Sequence, residues 1–115
     1  MKITGKVFRG KREGSKIGFP TANIHIQETI EPGIYVGYAS LDAGEKLKSM
    51  IYTANDVLEC HIFDFPKKDL YENEISVEIL HKIRGAQKFT GLKEAREQIK
   101  KDEYEAREWF KISQN

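Results

Sequence analysis

The chain has 115 residues, enough for one domain with its own hydrophobic core. A net charge of +1 leaves no global basic field to recruit nucleic acid or anionic membrane. Cys60 is the single cysteine, so an intrachain disulfide is excluded; no apolar run reaches transmembrane length, and the start Met1–Val7 is too polar for a signal-peptide core. One soluble cytoplasmic domain over residues 1–115 is the expectation.

In chain order, Ile3, Gly5 and Val7 alternate with Lys2, Thr4, Lys6 and Phe8, which predicts a first strand. Gly5, Gly10, Gly14 and Gly18 follow within fourteen residues, with Lys11, Arg12 and Lys16 between them. Glycine has no Cβ and accepts positive φ, so such a segment can wrap its backbone round an anion. The same glycines also suit bulges and tight bends. The segment is not a Walker loop, because no Gly-Lys-Ser/Thr ends it before a helix, and no βαβ unit frames a dinucleotide fingerprint. It runs into Gly18-Phe19-Pro20-Thr21-Ala22-Asn23-Ile24. Residues Ala22 to Gln27 read as a second strand. Thr21 and Asn23 then point to one side. A hydroxyl and an amide oxygen are hard ligands suited to Mg²⁺, although either side chain can instead bond its own backbone.

Pro32-Gly33 signals a turn. Ile34 to Leu41, Leu47 to Thr53, Leu58 to Phe65 and Ile75 to Ile83 are further strand candidates. The connections are too short for crossover helices, so an antiparallel set of about six strands is expected, closed or nearly closed into a barrel. Within Leu58–Phe65, Glu59 and His61 share one face and Leu58, Cys60 and Ile62 the other. Glu59 is either an exposed strand carboxylate or a group positioned to accept a proton from an alcohol. His61 lacks a second ligand at metal spacing, and Cys60 packs as a small hydrophobe. Arg84 to Phe89 links the last strand to the tail; its cations and aromatic ring suit a solvated turn or the border of a planar anionic ligand. From Leu92 to Phe110 there is no Gly or Pro, and Leu92, Ala95, Ile99, Ala106 and Phe110 recur at helical spacing. Thr90 is the expected N-cap. Asp102 interrupts the apolar stripe and should bond barrel backbone or a nearby cation.

Taken together, these motifs resemble the ATP-dependent riboflavin kinase family. The resemblance rests on Gly5, Val7, Gly10, Gly14, Lys16 and Gly18 to Asn23. Pro32 to Tyr35, Glu59-x-His61 with Asp64-Phe65, Asp69 to Tyr71, and Ile83-Arg84 with Lys88-Phe89 extend it over nearly the whole chain in order. It implies a mainly β fold, a six-stranded antiparallel Greek-key-type barrel with a C-terminal α-helix. It implies transfer of the ATP γ-phosphate to the 5′-hydroxyl of riboflavin, giving FMN and ADP. Gly10, Gly14, Lys16, Gly18, Pro20, Thr21 and Asn23 would bind the nucleotide phosphates, and Thr21 and Asn23 the Mg²⁺. Glu59 would be the catalytic base, and Arg84, Lys88 and Phe89 would border the flavin. Riboflavin, FMN, ATP and ADP are then the partners of a monomer, with neither nucleic acid nor membrane involved. Two departures stand out. Only Tyr52–Val57 lies where the family has a longer loop before the glutamate, and Gly85-Ala86-Gln87 replaces a segment that often carries an acidic residue. Many bacterial relatives carry an adenylyltransferase domain upstream; there is no room for one here, so FAD synthesis is not expected. The other function classes are a non-catalytic flavin- or nucleotide-binding module of the same fold, and a small-barrel nucleic-acid binder, which the near-neutral charge disfavours.

Overall fold

A computed structural model describes residues 1–8, 21–42, 44–65 and 73–113. Six strands form one antiparallel sheet: β1 (Lys2–Lys6), β2 (Ala22–His25), β3 (Gly33–Leu41), β4 (Leu47–Ala54), β5 (Val57–Ile62) and β6 (Glu74–Gly85). Among the described residues one long helix, α1 (Leu92–Ser113), follows. The strand order is β1-β6-β3-β4-β5-β2. The meander β3-β4-β5 with β2 returned beside β5 is the expected Greek-key arrangement. The two edge strands meet where the Phe8 N–H donates to the Asn23 carbonyl at 2.9 Å, so the sheet curls into a nearly closed barrel. Curling brings together the two edges that such a short-stranded sheet would otherwise leave apart.

Alternation sorts the side chains. Ile3, Ile24, Tyr35, Ala39, Ile51, Leu58, Cys60, Ile75 and Val77 fill the barrel. Ile34, Val36, Met50 and Phe63 face outward and are covered by Ala106 and Phe110 of α1. β3 is therefore buried on both faces, which is why it reads as a continuous apolar run. Phe110 anchors the helix. Its ring meets Phe63 edge-on at 6.3 Å, Trp109 at 5.3 Å and Tyr38 at 5.5 Å.

The expected helical stripe needs two corrections. Leu92 is 60% exposed, and packing against the sheet involves Ile99, Ala106 and Phe110. Periodicity reports which face is apolar, not how far the barrel extends beneath it. Thr90 is not the N-cap acceptor. Gly91 precedes the first helical residue and accepts from Ala95 N, while Thr90 donates through both N–H and hydroxyl to Glu94. This is the Glu half of a capping box, shifted by one residue. Strand β5 also ends at Ile62 rather than Phe65, because Asp64 turns the chain at φ 57°.

Gly37 permits the close approach of β3 and β6. A Cβ there would lie 2.1 Å from the Glu78 carbonyl oxygen and 2.7 Å from Ile51 Cδ1. The β3–β6 register also slips between Val36 and Gly37. Gly37→Ala should cost about 2–3 kcal/mol, because rigid backbone must move to admit the methyl group. Gly85→Ala, where a Cβ has open space, should stay within about 0.5 kcal/mol. Urea unfolding of both variants measures the contrast.

Candidate functional site

Residues directly opposite each other in an antiparallel pair project from the same face. Asn23 lies opposite Glu59, Glu59 opposite Tyr52, Tyr52 opposite Ile34, and Ile34 opposite Arg84. Phe8 continues the row beyond Asn23. The inner neighbours Ala22, Ile24, Leu58 and Cys60 belong to the barrel core, so this row runs across the outer surface. Asn23 and Glu59 are one strand spacing apart, about 4.8 Å. Arg84 lies three spacings beyond Glu59, about 14 Å along the sheet. The sequence motifs, scattered from residue 21 to residue 84, are thus assembled by register.

Asn23 is 5% exposed, and no hydrogen-bond partner for its Oδ1 is found among the described residues. A buried acceptor left unpaired costs about 1–3 kcal/mol, so such an atom calls for an explanation, a bound ion or ligand among them. Thr21, half-buried, stands two positions earlier and, in an extended chain, on the same side. Gly10, Gly14, Lys16, Gly18 and Pro20 lie outside the described residues.

Glu59 is half-buried in the middle of β5, with the thiol of Cys60 on the opposite, core side. His61, two residues along, donates from Nε2 to Glu103 Oε1 of α1 at 3.1 Å. Glu103 also lies 3.7 Å from Arg107. Arg107 reaches both oxygens of Asp64 and sits 4.4 Å over the Phe63 ring. Hydrogen bonding from Arg107 holds the Asp64 carboxyl below its ordinary range, and the same bond raises the Arg107 guanidinium. His61 is therefore a tie between β5 and the helix. No cluster of three or more His, Cys, Asp or Glu that could hold a metal occurs among the described residues.

Arg84 is engaged by the helix. Its Nε donates to Asp102 Oδ1 at 2.9 Å and its Nη2 to Asp102 Oδ2 at 2.8 Å. Asp102 thus meets a nearby cation, as its position within the apolar stripe requires. Arg84 also lies 6.0 Å from the Phe89 ring, while Lys88 is exposed. Sequence reasoning missed Tyr52. It is 36% exposed and lies between Glu59 and the Ile34–Arg84 end of the row. Its signal was its outward register on β4, legible only once β4 was paired to β5. The shortened stretch Tyr52–Val57 is a tight hairpin with Asn55-Asp56 at its tip and Asn55 at φ 57°, a conformation that Asn tolerates. Thr53-Ala54-Asn55, which carries the same three letters as Thr21-Ala22-Asn23, serves this hairpin. Thr53 points inward and donates to the Glu31 carbonyl, so it does not duplicate Thr21.

Burial pushes the Cys60 thiol from 9.0 up to about 12, against the smaller opposing effect of a hydrogen bond with Ser49. Three pKa units lower the thiolate fraction about a thousandfold. Alkylation of the native protein should therefore be slow and should follow opening of the barrel, which mass spectrometry across a urea series reads. The sign on stability follows. Only the unfolded chain ionises between pH 9.0 and about 12, so this thiol weakens the fold as pH rises through that window.

The riboflavin kinase family model, Flavokinase, matches residues 1–110. The chain is 34% identical over 119 residues to the bifunctional riboflavin kinase/FMN adenylyltransferase of Haemophilus influenzae, covering 95% of this chain and 38% of that protein. The Escherichia coli K12 protein of the same name is 35% identical over 122 residues, covering 96% of this chain and 38% of its own length. The RNA-binding riboflavin kinase RibR of Bacillus subtilis is 32% identical over 112 residues, covering 87% of this chain and 47% of that protein. The chain thus spans less than half the length of each of these relatives. A crystal structure titled as a macrolide-efflux protein from Streptococcus pneumoniae superimposes with a TM-score of 0.84 at 28% identity, covering 94% of this chain and 38% of that chain. No helix among the described residues is long and apolar enough to cross a membrane.

Proposed function

Since the chain belongs to the riboflavin kinase family, we propose that it transfers the γ-phosphate of ATP to the 5′-hydroxyl of riboflavin, giving FMN and ADP. One observation supports this above the others: Asn23, with its unpartnered buried oxygen, stands directly opposite Glu59. A phosphate-side oxygen ligand and a carboxylate one strand apart suit a reaction that joins a phosphoryl group to an alcohol.

The residues fit Mg²⁺. Asn23 Oδ1 is a neutral oxygen in need of a partner, and Thr21 supplies a second hard donor. Two protein oxygens are too few for an octahedral ion, so nucleotide phosphates and water would complete the shell, as is usual for Mg²⁺. When bound, the ion would neutralise phosphate charge at the transferring group. Glu59 would orient the riboflavin hydroxyl and take its proton as the oxygen attacks phosphorus and the bond to the ADP oxygen breaks. Tyr52 would lie along the flavin path, and the segment from Arg84 to Phe89 at its far border.

Protein, riboflavin, ATP and Mg²⁺ should yield FMN, followed by chromatography. Binding of flavin and nucleotide with no FMN under varied metals would leave a binding module instead. Asn23→Ala should weaken MgADP binding while riboflavin affinity stays, both read by calorimetry. Loss of riboflavin binding with intact MgADP affinity would place Asn23 wrongly.

Glu59→Gln should lower kcat by roughly two orders of magnitude, the low end for general-base loss, because a loose phosphoryl transition state leans more on positioning. Ground-state binding of flavin and MgADP should persist. A variant with near-wild-type kcat would reduce Glu59 to a strand carboxylate.

A further inference from the structure

We infer that Asp102 is a positioning residue for flavin binding: its carboxylate fixes the Arg84 guanidinium, and Arg84 in turn sets the course of segment 85–89. This rests on the proposed function only in that the flavin lies against that segment.

Asp102 is 1% exposed on a helix face otherwise lined by Ile99, Ala106 and Phe110. Its Oδ1 accepts from Arg84 Nε at 2.9 Å and from Gln98 Nε2 at 3.0 Å, and its Oδ2 accepts from Arg84 Nη2 at 2.8 Å. Such a pair is a poor device for stability, since desolvation offsets much of the attraction and apolar replacements are often neutral. Its two-pronged geometry instead fixes direction. The direction matters because of what else the guanidinium does. Its Nη1 donates to the Gly85 carbonyl at 2.9 Å, and its Cζ lies 6.0 Å from the centre of the Phe89 ring. One guanidinium therefore holds both ends of a segment whose residues 85 to 88 are exposed. Packing does not restrain that segment at Gly85, where a Cβ would meet nothing within 4 Å. The segment also starts at the strand position reached by the row from Asn23 through Glu59 and Tyr52. A lysine at 84 would keep the charge and lose the fork.

The test uses the whole chain carrying Asp102→Asn, which keeps the volume and places an amide against the guanidinium. Riboflavin KM and the Kd from flavin-fluorescence quenching should rise about tenfold, while kcat and the MgATP KM stay within about twofold. Without ligand, amide exchange over residues 85–89 should accelerate while β3, β4 and β5 keep theirs. Gln98→Leu should move both readouts the same way by less. The double variant with Arg84→Lys should lose no more than Arg84→Lys alone, since the two act as one unit. Unchanged exchange over 85–89 in folded Asp102→Asn overturns the inference. So does a uniform fall in all kinetic parameters that tracks the folded fraction. Should Asp102→Asn fail to fold, Gln98→Leu decides, and unchanged exchange and riboflavin KM in it overturn the inference. If the wild-type chain makes no FMN, the functional reading fails, and the exchange experiment still decides what Asp102 does to the segment.

Discussion

The structure depends on the closure of the barrel at Asn23. Its backbone carbonyl takes the Phe8 N–H on one side, and its strand pairs with β5 on the other. The residue that seals the sheet is therefore the residue whose amide oxygen is unpartnered among the described residues. Closure fixes the backbone on both sides of Asn23, so its side chain has little freedom to turn away and find a partner elsewhere. The cost of one buried acceptor, about 1–3 kcal/mol, is borne by the sheet hydrogen bonds around it. A loop residue in the same place would relax and satisfy itself.

The second constraint is that α1 covers one part of the barrel and not another. Phe110 and Ala106 pack over Val36, Met50 and Phe63, while Tyr52 remains partly exposed and Glu59 only half-buried. The row from Asn23 to Arg84 thus begins at a closed seam, crosses an open stretch, and ends beneath the helix. Two polar ties keep the helix in that position. His61 and Arg107 join it to β5 through Glu103 and Asp64, and Arg84 joins it to β6 through Asp102. Both ties start at or within a few residues of the groups proposed for chemistry and flavin binding.

Much of this was legible in the sequence, for identifiable reasons. The strands carry period-two alternation or β-branched runs ended by turn residues, and the helix carries its own period and no breaker. The pairing of Glu59 with His61 on one face follows from the same alternation. What the sequence could not yield is order and register. That Asn23 stands opposite Glu59, or Tyr52 beside it, depends on which strands become neighbours, a matter of global closure and not of local pattern. Asp102 shows the limit well. A carboxylate on an apolar stripe demands a partner, yet nothing in the helix says that the partner is Arg84, eighteen residues earlier on β6. Leu92 shows the converse, an apolar residue in phase with the stripe and beyond the barrel's reach.

The bidentate pair also bears on how a residue read as a ligand-facing cation can be spoken for and still, in the proposed site, matter to the ligand. Three of the hydrogen bonds Arg84 makes are internal, so its charge is largely answered before any anion arrives. Its value to the proposed site would then be geometric. A planar fork held on one edge by a carboxylate can hold a backbone carbonyl on the other edge at a fixed angle. The exposed residues 85 to 88 could not hold that angle by packing alone, since there is little for them to pack against. Rigidity at the chemical end of the row comes from sheet closure. At the far end it comes from one buried carboxylate on the helix, and the distance between the two is set by the strand spacing.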